Sequence, residues 1–366
     1  VRVLVTGSDG FIGRNLALRL AERGDTPLPF TRADAPRLEA LVTQADAVVH
    51  LAGANRPPSA EGFEADNAAL AGRLAQAVRA AGGRPLAFAS STQAALDNPY
   101  GASKRAAEEA LAPLAELAPL ALFRLPNVFG KWARPFYNSA VATFCHQAAN
   151  GLPLSINDPG APLSLVYVDD VCDHLLGFLD APSPGLSWPV VSPTYDTSVG
   201  EVAALIDGMA RVRPGLGVGA TGAGLPRALY ATLLSHLPPD RFSYAVPSHG
   251  DVRGRFVEAV KTPDAGQMSY FTQSPGLIRG GHYHHSKSEK FLVVRGAARF
   301  RFRHLLTGER VDVEARADQP RIVDTIPGWA HDVVNLGNDE LVVLVWANEV
   351  FDRARPDTVP AAVDPA

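Results

Sequence analysis

Over the first third of the chain, short apolar runs alternate with longer stretches of helical period. Residues 1–6 read as a strand and 11–23 as a helix. A second clear strand covers 47–52, and a helix follows at 68–81. Strands at 85–90 and 120–125 flank a helical region at 104–117. Strands apolar on both faces belong in a sheet covered on both sides. Their alternation with helices predicts a doubly wound parallel sheet. From about residue 240 the pattern changes. Runs at 267–271, 289–294, 297–303, 310–314 and 340–347 are rich in β-formers and separated by Gly, Pro or Asn. No long helical pattern interrupts them, which predicts an antiparallel sandwich or barrel. The Pro238–Pro239 pair and residues 248–250 mark the junction, and the tail 353–366 reads as irregular.

Composition narrows the class. At 366 residues the chain has room for two or three domains. A net charge of −4 argues against a general nucleic-acid binder, which would carry a basic face. No apolar run of about 20 residues is present, so no membrane partner is expected. No charged-then-apolar leader pattern opens the chain. Cys145 and Cys172 are too few for a disulfide scaffold and fit a reducing cytoplasm, the expected location. Five of the 10 histidines (His282, His284, His285, His304 and His331) fall late in the chain, which average composition does not explain.

Between the first strand and helix lies Thr6-Gly7-Ser8-Asp9-Gly10-Phe11-Ile12-Gly13. Gly7, Gly10 and Gly13 allow a tight turn and bring backbone N–H groups close to a pyrophosphate at the helix N-terminus. A glycine motif alone also fits a generic strand–helix turn, but its place between strand and helix speaks for a dinucleotide. About 20 residues on, an acidic residue would hold a ribose 2′-OH. The chain offers Phe30-Thr31-Arg32 there, and a guanidinium suits a 2′-phosphate. NADP is therefore expected over NAD, with Asp34 keeping NAD open and a solvated surface arginine as the plain alternative.

Tyr100 and Lys104 stand four residues apart, on one face of a helix. An ammonium beside a phenol stabilises phenolate, which would make Tyr100 an acid/base near neutral pH. Thr92, after Ser90-Ser91, can donate a hydrogen bond to a substrate oxygen. An ordinary helix face would show the same spacing by chance.

Taken together, TGSDGFIG at 6–13, HLAG at 50–53, SST at 90–92, YGASK at 100–104, R-x-x-N-V-F-G at 124–130 and YVDDV at 167–171 resemble the extended short-chain dehydrogenase/reductases of nucleotide sugars. The resemblance implies a Rossmann-type domain with Thr92, Tyr100 and Lys104 as the catalytic group. It also implies that Asp9, Phe11 and Ile12 contact the pyrophosphate and that Leu51, Ala52 and Gly53 line the cofactor. Asn127 would touch the sugar nucleotide. Two features depart from that pattern. The Thr92–Tyr100 segment is short, and Leu163 stands near the place of the family's arginine.

The β-rich part carries His282-Tyr283-His284, then Glu289. Two histidines at i and i+2 on a strand share a face. Glu289 and His331 can complete a His₃Glu set suited to Zn²⁺, Fe²⁺, Mn²⁺ or Ni²⁺. A lone HxH is usually a surface accident, but the joint spacing resembles the cupin family's first motif, and Pro327, Gly328, His331 and Asn335 resemble its second. His285 and His304 read as surface or cleft residues. A second resemblance uses the same histidine. Asp251, Arg253, Gly254, Phe256 and Glu258, with Arg279-Gly280-Gly281-His282, resemble the metal-free sugar-nucleotide 3,5-epimerases. That likeness implies His282 as a base and Lys290 as the group holding an enolate, so ligand and base both stay open for His282.

The order of the two parts resembles the bifunctional capsule and O-antigen enzymes of UDP-N-acetyl-L-fucosamine synthesis. HLAGANRP at 50–57, DNPYGASK at 97–104, NVFGKW at 127–132, HHSKSEKFLVVRG at 284–296 and WANEVFD at 346–352 carry that likeness. It implies an α/β reductase domain at 1–244, with a substrate lobe mainly from about 130, and an all-β cupin (jelly-roll) domain at 245–366. It further implies NADPH, a zinc-type cupin, a homo-oligomer (dimer or tetramer) and a UDP-2-acetamido-2,6-dideoxy-4-keto-hexose substrate, epimerised at C3 and reduced at C4. Two alternatives stand beside this reading: a reductase/epimerase of another nucleotide 4-keto sugar, and a reductase whose cupin only binds or oligomerises.

Overall fold

The first strand, β1 (Arg2–Thr6), lies inside a six-stranded parallel sheet and buries all of Val3, Leu4 and Val5. The structure is a computed structural model. It describes residues 1–53, 64–246, 248–251, 254–257, 260, 262, 266–349 and 354–365, without the side chains of 64–66, 248–251, 254–257 and 267. Two compact units are formed. One comprises Val1–Phe129, Tyr137–Ser139 and Pro162–Thr197; the other comprises Gly130–Phe136, Ala140–Ala161 and Ser198–Ala366.

In the first unit, β1 is followed by α1 (Phe11–Glu22), β2 (Thr26–Phe30), α2 (Leu38–Gln44), β3 (Ala47–His50), α3 (Leu70–Ala80), β4 (Leu86–Ser91), α4 (Pro99–Leu111) and β5 (Leu120–Leu125). Then come β6 (Asn127–Phe129), β7 (Pro162–Tyr167), α6 (Val168–Asp180), β8 (Leu186–Ser187) and β9 (Thr194–Ser198), with α5 (Ala140–Ala149) belonging to the second unit. The main sheet has the order β2-β1-β3-β4-β5-β8, and every pairing is parallel. The order reverses between β1 and β3, and ligands of such sheets bind beyond the C-terminal strand ends at that switch. β2 is an edge strand, which explains its sequence TPLPF. Thr26 N–H donates to Val1 O at 2.8 Å, while Pro27 and Pro29 take the alternate positions, whose missing N–H groups would face the open edge. One layer of the core joins Leu4, Val48, Leu86 and Leu120 of the strands to Leu41, Leu74 and Leu111 of α2, α3 and α4.

The second unit adds α7 (Val199–Val212) and α8 (Gly224–Ser235), then β10 (Ser243–Ala245) and the short pair β11 (Ser248–Asp251) and β12 (Gly254–Val257). Two five-stranded antiparallel sheets follow. One, in order β10-β18-β15-β20-β13, uses β13 (Gln267–Gln273), β15 (Glu289–Arg295), β18 (Arg321–Asp324) and β20 (Leu341–Ala347). The other, β17-β16-β19-β14-β21, uses β14 (Ile278–Tyr283), β16 (Ala297–His304), β17 (Arg310–Arg316), β19 (Trp329–Asn335) and β21 (Val359–Pro360). Strand β16 (AARFRFRH) shows how the pattern builds the core. Ala298, Phe300 and Phe302 face inward and pack with Phe291, Val343 and Trp329, while Arg299 and Arg301 pair outside with Glu314 and Asp332. The expected parallel sheet and all-β region are thus both present.

The units divide the chain elsewhere than at residue 244. Helices α5, α7 and α8 cluster with the β-sheets. Arg213 pairs with the buried Asp324, and Arg227 pairs with Glu349 at 2.7 Å. Among the described residues, no helix is long and apolar enough to cross a membrane.

Candidate active and metal sites

The β1–α1 turn is shaped by glycines that cannot be replaced without a clash. Gly7 has φ of +68°, and a Cβ there would lie 2.8 Å from Ala52 N. A Cβ on Gly13 would stand 2.2 Å from Gly7 O and 2.8 Å from Ser8 Cα. The turn is bound to neighbouring strands, with Gly7 N–H donating to Phe30 O at 2.9 Å. Thr6 Oγ1 accepts from the N–H groups of Leu51 and Ala52, both at 3.1 Å. The segments Gly7–Gly13 and Leu51–Gly53 therefore meet at the strand ends. Asp9 and Gly10 are exposed, and Phe11 and Ile12 half-buried, at the head of α1. This open, glycine-lined helix start has the form that accommodates a pyrophosphate.

Arg32 is exposed at the start of a short turn, Arg32–Arg37. Asp34 is already engaged. Its carboxylate accepts from Thr31 N–H at 3.0 Å and Thr31 Oγ1 at 2.9 Å, and Arg37 lies 3.3 Å away.

Helix α4 places Tyr100 and Lys104. Asn98 caps it by accepting from Gly101 N–H at 2.8 Å, and Pro99 opens the first turn. Gly101 lets the helix approach the preceding turn, since a Cβ there would be 2.0 Å from Gln93 O. Lys104 is buried and donates to Ala89 O at 3.0 Å. A Cβ on Gly53 would be only 3.2 Å from Lys104 Nζ, so this ammonium borders the Leu51–Gly53 segment. Burial lowers the Lys104 pKa to about 8, against the pull of Glu108. Glu108 in turn accepts from Ser90 Oγ and from Arg124 at 2.6 and 3.0 Å.

Tyr100 differs from expectation. Its pKa is raised, because burial outweighs a hydrogen bond from Ser91. Lys104 Nζ stands 6.0 Å from the phenol ring centroid and donates to Ala89 O. The hydroxyl beside Tyr100 is Ser91, while Thr92 is exposed at the start of the next turn. Ser91, Asn67 and Glu108 escaped the sequence reading. Asn67 is buried, donates to Ser103 Oγ at 2.8 Å and lies against Gly53. Only the Ser-Ser-Thr run signalled a hydroxyl at all. Asn127 is exposed on β6 and donates to Ser164 O at 3.1 Å.

In the second unit, His282, His284, Glu289 and His331 converge, with candidate ligand atoms all within 4.8 Å of one another. A bulge makes this possible. The register of β14 on β19 shifts between Gly280 and His282, which sets His282 opposite His331. Gly280 has φ of +104°, and a Cβ there would be 2.8 Å from His331 O. Glu289 Oε2 lies 3.1 Å from His284 Nε2 and 3.8 Å from His331 Nε2. Lys287 Nζ holds the other oxygen, Oε1, at 3.0 Å. Burial lowers the His282 pKa to about 4 and pushes His331 well down, so both rings are neutral. Both ring nitrogens of His331 are buried with no hydrogen-bond partner among the described residues. Neutral imidazoles around a carboxylate, with buried nitrogens left unpaired, fit a divalent cation.

Two other sequence readings change, those of Lys290 and His285, while His304 stays at the surface. Lys290 is not near the cluster, because it follows Glu289 on a strand and so faces the opposite side. It pairs there with Asp324 at 2.7 Å and donates to Tyr244 Oη at 2.9 Å. His285 is buried against Tyr283 instead of lining a surface. His304 caps the β16–β17 turn, its Nδ1 accepting from Leu306 and Thr307 N–H at 3.1 Å. The side chains of Asp251, Arg253, Gly254, Phe256 and Glu258 lie outside the described residues, as do 54–57 and 350–352 of two motif stretches.

A glycine-turned parallel sheet with Tyr100 and a buried Lys104 on one helix face defines the class: a nicotinamide-dependent oxidoreductase of the extended short-chain type. The chain belongs to the NAD dependent epimerase/dehydratase family, whose model matches residues 3–190, and residues 249–359 match the polysaccharide biosynthesis C-terminal domain. It is 50% identical to the UDP-2-acetamido-2,6-beta-L-arabino-hexul-4-ose reductase of Pseudomonas aeruginosa, over 99% of each chain. It is also similar to the crystal structure of the capsular polysaccharide assembling protein CapF from Staphylococcus aureus. That likeness has a TM-score of 0.67 and 34% identity, over 99% of this chain and 100% of the other. A ceramide reductase of Caulobacter vibrioides is 30% identical, but over only 50% of this chain and 62% of its own length.

Proposed function

We propose that the protein acts on a UDP-2-acetamido-2,6-dideoxy-4-keto-hexose in two steps. Its 245–366 part inverts C3, and its 1–244 part then reduces C4, giving UDP-2-acetamido-2,6-dideoxy-β-L-talose for a surface polysaccharide. The observation that carries this reading is the presence in one chain of a half-buried Tyr100 with Lys104 buried one helical turn on and a convergent His₃Glu cluster. A 4-keto sugar nucleotide is the substrate type on which both can work. The name of the full-length relative, a hexul-4-ose reductase, supports it.

For reduction, Tyr100 gives its phenolic proton to the oxygen at C4, and its raised pKa keeps that proton available at neutral pH. Ser91, or Thr92 beside it, donates to the same oxygen. Lys104 holds positive charge next to the Leu51–Gly53 segment, which lines the cofactor with Gly7–Gly13. Bound NADPH supplies the hydride. NADPH is preferred over NADH because the Asp34 carboxylate is committed to Thr31 and Arg37 instead of a ribose 2′-OH, and the exposed Arg32 beside it has the charge a 2′-phosphate needs. For inversion, the C–H beside the ketone is acidic because its anion is an enolate. A divalent cation at His282, His284, Glu289 and His331, zinc by ligand type, would stabilise that charge. Its place in the cluster favours a ligand role for His282 over a base.

Incubation with NADPH and UDP- or dTDP-4-keto sugars in D₂O, followed by NMR, tests both steps. The expected result is reduction at C4 and deuterium at C3 of the UDP sugar. A Tyr100→Phe variant that kept full NADPH oxidation would end the reductase assignment, and a His284→Ala variant that kept metal and C3 exchange would end the cupin assignment. Exchange absent from the unaltered protein would leave a reductase with a non-catalytic cupin.

A further inference from the structure

The last residue of β1, Thr6, lies opposite the last residue of β3, His50, where the Gly7–Gly13 and Leu51–Gly53 segments leave the sheet. Both residues are fully buried. Thr6 Oγ1 has three polar neighbours: Leu51 N–H and Ala52 N–H, both at 3.1 Å, and His50 Nδ1 at 2.6 Å. Leu51 N–H also reaches Thr6 O at 3.2 Å, so Ala52 N–H depends on this hydroxyl the most. The two N–H groups can only donate, which leaves His50 Nδ1 as the acceptor for the hydroxyl hydrogen. The proton of the neutral ring then sits on Nε2, a buried nitrogen with no hydrogen-bond partner among the described residues. In that arrangement one buried donor goes unpaired. The reverse, with Nδ1–H donating to Oγ1, would strand two groups: the hydroxyl hydrogen and the Nε2 lone pair. Unpaired buried polar groups are costly, so the first arrangement wins. Burial, with the Lys104 charge second, lowers the His50 pKa to about 3, so the ring is neutral. The ring is held by stacking on Phe88, with centroids 5.1 Å apart, and Lys104 Nζ lies 5.0 Å from the same Phe88 centroid.

We propose that His50 is a positioning residue of the dinucleotide site. By taking the Thr6 hydroxyl hydrogen at Nδ1, it turns the lone pairs of Oγ1 toward the Leu51 and Ala52 N–H groups and fixes the path of Leu51–Gly53. Gly7, which follows Thr6, packs on the same turn, where a Cβ would stand 2.8 Å from Ala52 N. One oriented hydroxyl thus holds the Gly7 turn and the Leu51–Gly53 segment in register. The proposal rests on the dinucleotide reading above, but the tautomer and the anchored amides exist without cofactor.

The full-length chain labelled with ¹⁵N-histidine tests this directly. Without cofactor at pH 7, ¹⁵N NMR should show His50, identified by the signal missing from His50→Asn, as a single Nε2–H tautomer. His50→Phe keeps a ring against Phe88 but offers no acceptor. It should speed hydrogen exchange at Leu51–Gly53 and weaken NADPH binding, read by fluorescence titration, each by about tenfold. Asparagine sets an acceptor oxygen near the place of Nδ1, so His50→Asn should hold both to within about threefold of the unaltered protein. Continued protection of the buried Cys172, in the same unit, from a thiol reagent reports that each variant is folded. An Nδ1–H tautomer in the unaltered protein would overturn the proposal, whether or not any variant folds. So would unchanged exchange and NADPH affinity in folded His50→Phe, and so would equal losses in the Phe and Asn variants, which would assign the effect to packing. Failure of the unaltered protein to bind NADPH would instead overturn the dinucleotide reading, and the tautomer and amide exchange would still judge His50.

Discussion

Replacing Lys104 by Met should make the protein's stability lose a specific pH dependence. Lys104 is buried, and its pKa falls from 10.5 to about 8, chiefly through loss of hydration. Below pH 8 the folded state carries a charge it solvates poorly, which costs stability. Between about 8 and 10.5 the folded state has released a proton that the unfolded chain still holds, so stability rises with pH. The slope approaches about 1.4 kcal/mol per pH unit. At pH 9.5, some 1.5 units above the folded value, the gain over pH 7 is about 2 kcal/mol. Lys104→Met has no such proton, so the stability of the unaltered protein minus that of the variant should rise by that amount. Groups common to both proteins cancel in the difference. Each unit supplies its own probe, because Cys172 is buried in the first and Cys145 in the second. Thiol labelling across a urea series at pH 7 and pH 9.5, read by peptide mass, gives separate transitions. The gain should appear at Cys172 and not at Cys145. A difference that stays flat at Cys172, or falls, would refute the reasoning, since it would mean the ammonium stays hydrated in the fold.

Arg32→Ser should raise the KM for NADPH about tenfold and leave that for NADH nearly unchanged, as loss of one exposed charge-assisted contact would; steady-state kinetics with both cofactors checks it, and equal effects would return Arg32 to a surface role. Arg213→Leu should destabilise the second unit by about 3 kcal/mol, read at Cys145, because it leaves the buried Asp324 with Lys290 alone.

Much of this protein is legible along the chain itself. Periodicity marks β1, β4, β5 and α1, since a strand covered on both faces and an amphipathic helix each write their burial into consecutive residues. The glycine turn is legible because a backbone that approaches Ala52 and its own Gly7 carbonyl admits no Cβ. Tyr100 and Lys104, and His282 and His284, are legible because helix and strand geometry put such spacings on one face. The same alternation, applied one residue further, already separates Lys290 from Glu289. What the chain does not spell out depends on partners distant in sequence. The Ser-Ser-Thr run offers adjacent hydroxyls, and only the packing of α4 against the following turn brings Ser91 to Tyr100. The pKa of Tyr100 was expected from its neighbour at i+4, but burial decides its direction. Asp34 could have held a ribose until the fold spent its carboxylate on Thr31. The tautomer of His50 carries no local signal, because its ring meets Thr6 Oγ1 only once β3 has paired with β1. Secondary structure and motif spacing are set by neighbours within a few residues, and one sequence is enough to read them. Protonation, tautomer and which hydroxyl faces the reacting group are set by desolvation and by contacts across the fold, and these are created only when the chain closes on itself.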